Sequence, residues 1–99
     1  MLLNNSSRHD RSYLAAGSVV VVHCSHPSII MLMSDDQYGK YLMGTAVFFY
    51  GGYYSEFPAN IAVPDSCYWN VIIKPVQNCN EHIEHSVLFT DQKKTPYNL

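Results

Sequence analysis

The chain has 99 residues, which suits one domain, and 6 Lys+Arg against 8 Asp+Glu give it a formal net charge of -2. Because six cations cannot neutralise many phosphates on one face of the protein, we expect no nucleic-acid partner. Hydrophobic residues make up 47% and charged residues 14%, which excludes disorder over the whole chain. The longest apolar runs, residues 19–22 and 29–33, are far shorter than the ~20 residues of a membrane helix, so we expect no membrane segment.

The cysteine count and the N-terminal residues indicate the cellular compartment of the protein. Cys24, Cys67 and Cys79 are an odd number, which is unusual for a disulfide framework. Residues 1–13 contain only a three-residue apolar stretch before polar and charged residues, unlike a signal peptide. These features predict a reduced, cytoplasmic protein.

The first third of the chain contains the clearest strand pattern. Residues 1–12 are polar and predict a loose lead-in, and residues 14–17 could form one helical turn that ends at Gly17. Residues 18–24, SVVVVHC, are rich in β-branched side chains and predict a strand. Four consecutive valines cannot alternate in polarity, so this strand is expected to be buried on both faces or packed against a neighbouring segment.

Four further segments have apolar or aromatic composition and turn residues at their ends, and they predict strands over residues 29–33, 45–50, 59–63 and 67–74. Ser34 or Asp35 can cap a short helix over residues 35–43, which Gly44 would end. Gly51-Gly52 predicts a turn or a bulge, and residues 53–57 predict an edge or connecting strand that Pro58 ends.

The composition changes at Pro75. We therefore predict an all-β domain over residues 1–75 and a polar extension over 76–99 with a disordered end after residue 90. Within this extension two alternatives stay open. Asn78 or Asn80 could cap a short helix, or residues 86–90 could form a sixth strand.

The predicted strands recur about every ten to fifteen residues with turn residues between them. This spacing is typical of a small single-domain sandwich or partly open barrel. We therefore predict an all-β protein with one short helical turn.

Short motifs in a characteristic order span about residues 13–74. They are Tyr13-Leu14-x-Ala16-Gly17, VVVVHCSH at 19–26, Leu32-Met33, DDQYGKY at 35–41, Gly44, Tyr50-Gly51-Gly52, Pro58-x-x-Ile61-x-Val63-Pro64 and Tyr68-Trp69-Asn70-Val71. In these motifs the chain resembles a bacterial family known as domain of unknown function 1883. The resemblance implies a compact all-β domain, with some members fused to signalling modules, and it implies no catalytic residues. Ala46, Val47 and Phe48 are apolar where members often carry basic residues, which disfavours a phosphate-bearing ligand.

His23, Cys24 and His26 form the cluster most suited to nucleophilic chemistry, since an imidazolium can stabilise a thiolate. It suggests a small hydrolase or transferase as an alternative function. Adjacent strand residues point to opposite faces, however, so His23 and Cys24 are not expected to face each other.

Two other groups could carry chemistry. Cys79, His82 and His85 are metal-ligand types, but their spacing on a helix is too wide for one ion and a fourth ligand is lacking, so we expect no metal and no cofactor. Asp35 and Asp36 could act as an acid and base pair, or they could cap the predicted helix.

Aromatic residues are dense between positions 48 and 57, and they cannot all lie in the core because consecutive strand residues face opposite sides. We predict that Tyr50, Tyr53, Tyr54 and Phe57 contribute to a binding surface, with the filling of a thin core as the alternative. The preferred function is a non-catalytic recognition or sensory module that binds a protein partner, a second copy or a small ligand. A single-stranded nucleic-acid binder has the aromatic residues but lacks the cations.

Overall fold

The computed structural model describes residues 7–76 and 83–90, which form two antiparallel sheets and one helix. The strands are β1 Arg8–Leu14, β2 Val19–Cys24, β3 Ser28–Ser34, β4 Tyr50–Tyr54, β5 Ala59–Ala62, β6 Cys67–Pro75 and β7 His85–Thr90, and helix α1 spans Asp35–Leu42. The two sheets share no strand, so the protein is a small all-β sandwich, as the sequence predicts.

The larger sheet has the strand order β1-β6-β3-β4, and the smaller has the order β5-β2-β7. Between them lies a core of buried side chains from both sheets: Leu14, Val20, Val22, Ile30, Leu32, Ala59, Ile61, Val63, Trp69, Val71 and Ile73. Alternate residues of each strand therefore face inward, and the residues between them form the outer face of each sheet.

Helix α1 covers the middle of the outer face of the four-stranded sheet. Tyr38 and Tyr41 pack against a second buried cluster of Met31, Met33 and Ile72. The helix begins after Ser34, whose hydroxyl accepts a hydrogen bond from the Gln37 amide at 3.3 Å. The predicted helix and its serine cap are therefore confirmed.

Strand β1 lies where the sequence predicts a loose lead-in, and that expectation is wrong from Arg8 onward. Its inward positions carry Arg8 and Asp10, which form an ion pair at 2.7 Å, so the strand lacks an apolar alternation. Pairing of all seven residues of β1 with residues 67–73 of β6 holds the strand in the sheet. After Leu14 the chain makes a turn rather than a helical turn, and Gly17, at φ 92, donates a hydrogen bond to the Val63 carbonyl at 2.9 Å.

The predicted strand over 45–50 is also wrong, because β4 starts at Tyr50 and continues through Gly51 and Gly52. The two glycines form part of the ladder with β3 instead of a turn. Gly51 has a φ of +125, and a Cβ on it would collide with the carbonyl oxygen of Ile30. The close approach of β4 to β3 therefore requires glycine at this position.

The strand alternative for the C-terminal segment is correct. Strand β7 pairs with β2 along its whole length, from Val19 opposite Thr90 to Cys24 opposite His85. This strand lies beyond Pro75, so the three-stranded sheet includes part of the segment assigned to a polar extension. Residues 77–82 and the expected disordered end over 91–99 lie outside the described residues.

Within residues 7–76 and 83–90, no helix has the length and apolar character that crossing a membrane requires.

Trp69 is the largest side chain of the core, and we expect its removal to cost much of the stability. It is 4% exposed, and its Nε1 donates a hydrogen bond to the Asp65 carbonyl at 2.9 Å. Trp69→Ala should lower the free energy of unfolding by roughly 3–5 kcal/mol in denaturant titrations. Trp69→Phe, which keeps an aromatic ring and loses the hydrogen bond, should cost less. Because Trp69 is the single tryptophan, native fluorescence at the wavelength of exposed indole would contradict its burial.

Candidate binding site

The side-chain amide of Asn70, fully buried on β6, lies at the centre of a polar network on the outer face of the four-stranded sheet. Its Nδ2 donates to Asp35 Oδ1 at 2.8 Å and to the Met33 carbonyl at 3.3 Å. Its Oδ1 lies 2.8 Å from His9 Nε2. The amide thus connects β1, β3, β6 and the first residue of α1.

These partners determine the proton on His9. Asp35 and the Met33 carbonyl can only accept, so the amide nitrogen of Asn70 faces them and its oxygen faces the imidazole. The Nε2 of His9 therefore carries a hydrogen and donates to Asn70. On the other side of the ring, the Tyr38 hydroxyl lies 3.3 Å from Nδ1, and the two rings stack with centroids 4.3 Å apart.

Asp35 extends the network to Arg11. The guanidinium makes two hydrogen bonds to the carboxylate, from Nε at 3.0 Å and from Nη2 at 2.7 Å. These bonds, with that from Asn70, hold the pKa of Asp35 down to about 2 from its ordinary 3.8. The same ion pair raises the pKa of Arg11.

Arg11 also lies over the ring of Tyr68, with the guanidinium carbon 4.1 Å from the ring centroid. Tyr68 in turn makes an edge-to-face contact with Tyr13, its partner across the β1–β6 pair, at a centroid distance of 5.4 Å. Tyr13 is 56% exposed and Tyr68 is 48% exposed. We call Tyr13, Tyr68 and Arg11 the tyrosine–arginine patch. Together they form an open aromatic surface with an ordered cation.

The aromatic residues singled out from the sequence do not form one surface. Tyr54 and Phe57 are half-buried and pack against the core between the sheets. Tyr53 is 61% exposed on the opposite face of β4, as the alternation of an extended strand requires. Tyr50 contacts Phe48 and the buried Trp69, with ring centroids 5.5 and 6.0 Å away.

The histidine and cysteine cluster lies at the end of β2 and in the turn that follows. His23 is exposed, whereas Cys24 packs against the core with its Sγ 3.2 Å from the buried Ser28 hydroxyl. His26 Nδ1 lies 2.7 Å from the Ser25 hydroxyl. His23 and Cys24 also line an open cleft of about 320 Å³ with Ser25, Glu84, His85 and Ser86.

The candidate metal ligands are only partly within the described residues. His85 is the first residue of β7, where its Nδ1 lies 3.4 Å from Arg8 Nη1, while Cys79 and His82 lie outside the described ranges. Among the described residues, no group of three or more His, Cys, Asp or Glu side chains could hold a metal ion. Asp35 and Asp36 have separate partners, since Asp36 lies 3.8 Å from Lys40.

Sequence reasoning missed the tyrosine–arginine patch. The alternation of CYWNVIIK already places Tyr68 and Asn70 on the opposite face of the strand from Trp69, so the half of the patch on β6 can be predicted from the sequence. The other half lies on β1, which carries no apolar alternation, and the register that pairs Tyr13 with Tyr68 is a property of the folded sheet.

The fold and this surface define a small β-sandwich with a hydrogen-bonded polar network and an exposed aromatic patch on the outer face of its larger sheet. A family model described as domain of unknown function (DUF1883) matches residues 6–91, so the chain belongs to that family. This confirms the resemblance over residues 13–74 and extends it at both ends. Comparison with curated proteins and with solved structures gave no match.

The Asp35 ion pair predicts a specific pH dependence. Because the folded pKa of about 2 lies below the ordinary 3.8, ionised Asp35 stabilises the fold above pH 3.8, and this contribution is lost as the pH falls toward 2. We expect Asp35→Asn to flatten the fall of the unfolding midpoint over this interval. The effect should be modest, because solvent screens an exposed pair. Asp36→Asn, at the neighbouring carboxylate outside this network, is the comparison variant; an Asp35→Asn profile equal to that of wild type would contradict the assignment.

Substitution of the two neighbouring tyrosines should separate core from surface. Tyr54→Ala removes a ring that packs against the core and should cost about 1–3 kcal/mol of unfolding free energy. Tyr53→Ala removes an exposed ring and should cost less than about 1 kcal/mol. Thermal and denaturant unfolding of both variants provide the measurement, and equal losses would show that Tyr53 is also packed.

Proposed function

We propose that this protein is a non-catalytic recognition module that binds a protein partner through the tyrosine–arginine patch. The observation that carries the proposal is the arrangement of Arg11, which lies over Tyr68 and is bound by Asp35, whose carboxylate in turn accepts a hydrogen bond from Asn70. The outer face of a sandwich sheet is ordinarily polar, so two exposed tyrosines in mutual contact need a reason.

The chemistry of the patch suits a protein partner better than a small molecule. Tyrosine and arginine are among the side chains enriched at the energetic centres of protein interfaces. Side chains exposed on the face of a sheet offer a broad contact area, whereas small ligands are bound mainly in enclosed, concave sites. The ion pair and the ring contacts also restrict the side chains before binding, which lowers the entropy lost on association.

The hydrolase or transferase alternative has weaker support. The Cys24 thiol is directed toward the buried Ser28 hydroxyl and the core, a setting that suits a structural cysteine better than a nucleophile. Cys24 and Cys67 are free thiols, and this supports a reducing compartment such as the cytoplasm.

The proposal predicts that loss of one ring removes binding without unfolding the protein. Wild type, Tyr68→Ser and Tyr53→Ser would each be immobilised, or cross-linked in cells, and the partner proteins that each one captures would be compared. A partner retained by wild type and by Tyr53→Ser should be lost with Tyr68→Ser, with a weakening of about 1–3 kcal/mol in a titration with the purified partner.

Tyr53→Ser is the matched control, because Tyr53 is also an exposed tyrosine on the same sheet, at 61% against 48% for Tyr68. Unfolding midpoints of both variants must stay near that of wild type. If Tyr53→Ser abolishes binding and Tyr68→Ser does not, the binding surface lies on β4, where the aromatic run of the sequence suggests it. If neither substitution has an effect, the aromatic surface is not the binding site.

A further inference from the structure

Among residues 7–76 and 83–90, four strands lie at the edges of the sheets, β1 and β4 in the larger and β5 and β7 in the smaller. An edge strand exposes backbone N–H and C=O groups that can pair with another chain, and proteins usually protect such edges with charge, irregular geometry or short length. The four edges of this protein differ sharply in that protection.

Three of the edges are protected. Strand β1 carries Arg8, Asp10 and Arg11 within its seven residues. Strand β4 contains Gly51 and Gly52, both at positive φ, which interrupt a regular pairing surface. Strand β5 is only four residues long.

The sequence of strand β7 itself has none of these features, although at its first residue the His85 carbonyl accepts a hydrogen bond from Arg8 Nη1 at 2.8 Å. Its sequence, HSVLFT, spans six residues without Asp, Glu, Lys, Arg, Pro or Gly, and it is rich in residues that favour strands. Leu88 on its outer side is 59% exposed, whereas Val87 and Phe89 on its inner side are only partly buried against the core. We propose that β7 is a self-association edge, at which two copies of this chain join their three-stranded sheets by antiparallel β7–β7 pairing.

The symmetry of such a pair restricts its register. Two identical antiparallel strands are related by a two-fold axis perpendicular to the sheet, so each residue faces a residue from the same side of its own strand. With Leu88 on the axis, Leu88 faces Leu88, Val87 faces Phe89, and Ser86 faces Thr90. With Val87 on the axis, Phe89 would face His85 and Leu88 would face Ser86, which mixes apolar and polar side chains.

The register centred on Leu88 therefore matches the pairs within residues 86–90 by their chemistry. It covers the exposed leucine with its own copy, extends the inner apolar row of Val87 and Phe89, and opposes two hydroxyl side chains. None of these pairs places like charges against each other. A single strand pair buries less than the ~1,200 Å² typical of stable complexes, so the dimer should be weak and concentration-dependent.

Sedimentation over a concentration series tests the association. Wild type should shift from monomer toward dimer as concentration rises, and Leu88→Lys, which opposes two ammonium groups on the axis, should remain monomeric. Leu42→Lys makes the same substitution at a leucine that is 65% exposed at the end of α1, and it should behave as wild type. Unfolding midpoints confirm that each variant is folded.

Cysteine substitution tests the register. Directly opposed residues of antiparallel strands have Cα atoms about 4.5–5.5 Å apart, within the span of a disulfide. Leu88→Cys should therefore form a Cys–Cys link between copies under oxidised glutathione, identified by peptide mapping because the chain has other cysteines. In the same register the two copies of Ser86→Cys would lie about 13 Å apart along the strands and should not link.

A wild-type protein that stays monomeric at every concentration would overturn the proposal. So would a Leu88→Lys variant that associates as wild type does, or a Ser86→Cys link that forms as fast as the Leu88→Cys link. Leu88 and the tyrosine–arginine patch lie on different sheets, so the loss of self-association and the loss of partner binding are separately measurable.

Discussion

The buried amide of Asn70 fixes the relation between the larger sheet and the helix. Its two polar atoms have three partners, each on a different element: Met33 on β3, Asp35 at the start of α1 and His9 on β1. Leaving one such buried group without its partner costs about 1–3 kcal/mol, so the elements cannot shift independently. Within the described residues every buried side-chain nitrogen and oxygen atom is hydrogen-bonded, which is the condition for a polar network to specify one arrangement.

The same network places the exposed patch. Asp35 reaches Arg11 because its hydrogen bond with Asn70 fixes the position of the first residue of α1. Arg11 reaches Tyr68 because of the register in which β1 pairs with β6. The planar fork of arginine can bind the carboxylate at its edge and cover an aromatic ring with its face, which lysine cannot do. A surface cluster is thereby ordered by a buried side chain.

The sequence predicts the elements that carry a local signal, either an apolar pattern facing the core or a helix cap. The valine run of β2, the alternation of β6 and the Ser34 cap of α1 belong to this group. Strand β1 has no apolar alternation that could predict it, because Arg8 and Asp10 occupy inward positions. The glycines of β4 suggest a turn in the sequence, whereas in the fold glycine is needed there because the strand passes close to the Ile30 carbonyl. The patch depends on the β1–β6 register, which no local pattern contains.

The two proposals have a geometric consequence when taken together. A two-fold axis perpendicular to the joined sheets leaves both sandwiches on the same side, so both four-stranded sheets turn their outer faces in one direction. Each of those faces carries a tyrosine–arginine patch. A dimer formed at β7 would thus present two patches in parallel, and a partner with repeated sites could engage both. The second contact would then form at the effective concentration set by the first, so even a weak dimer would strengthen weak recognition without any new contact.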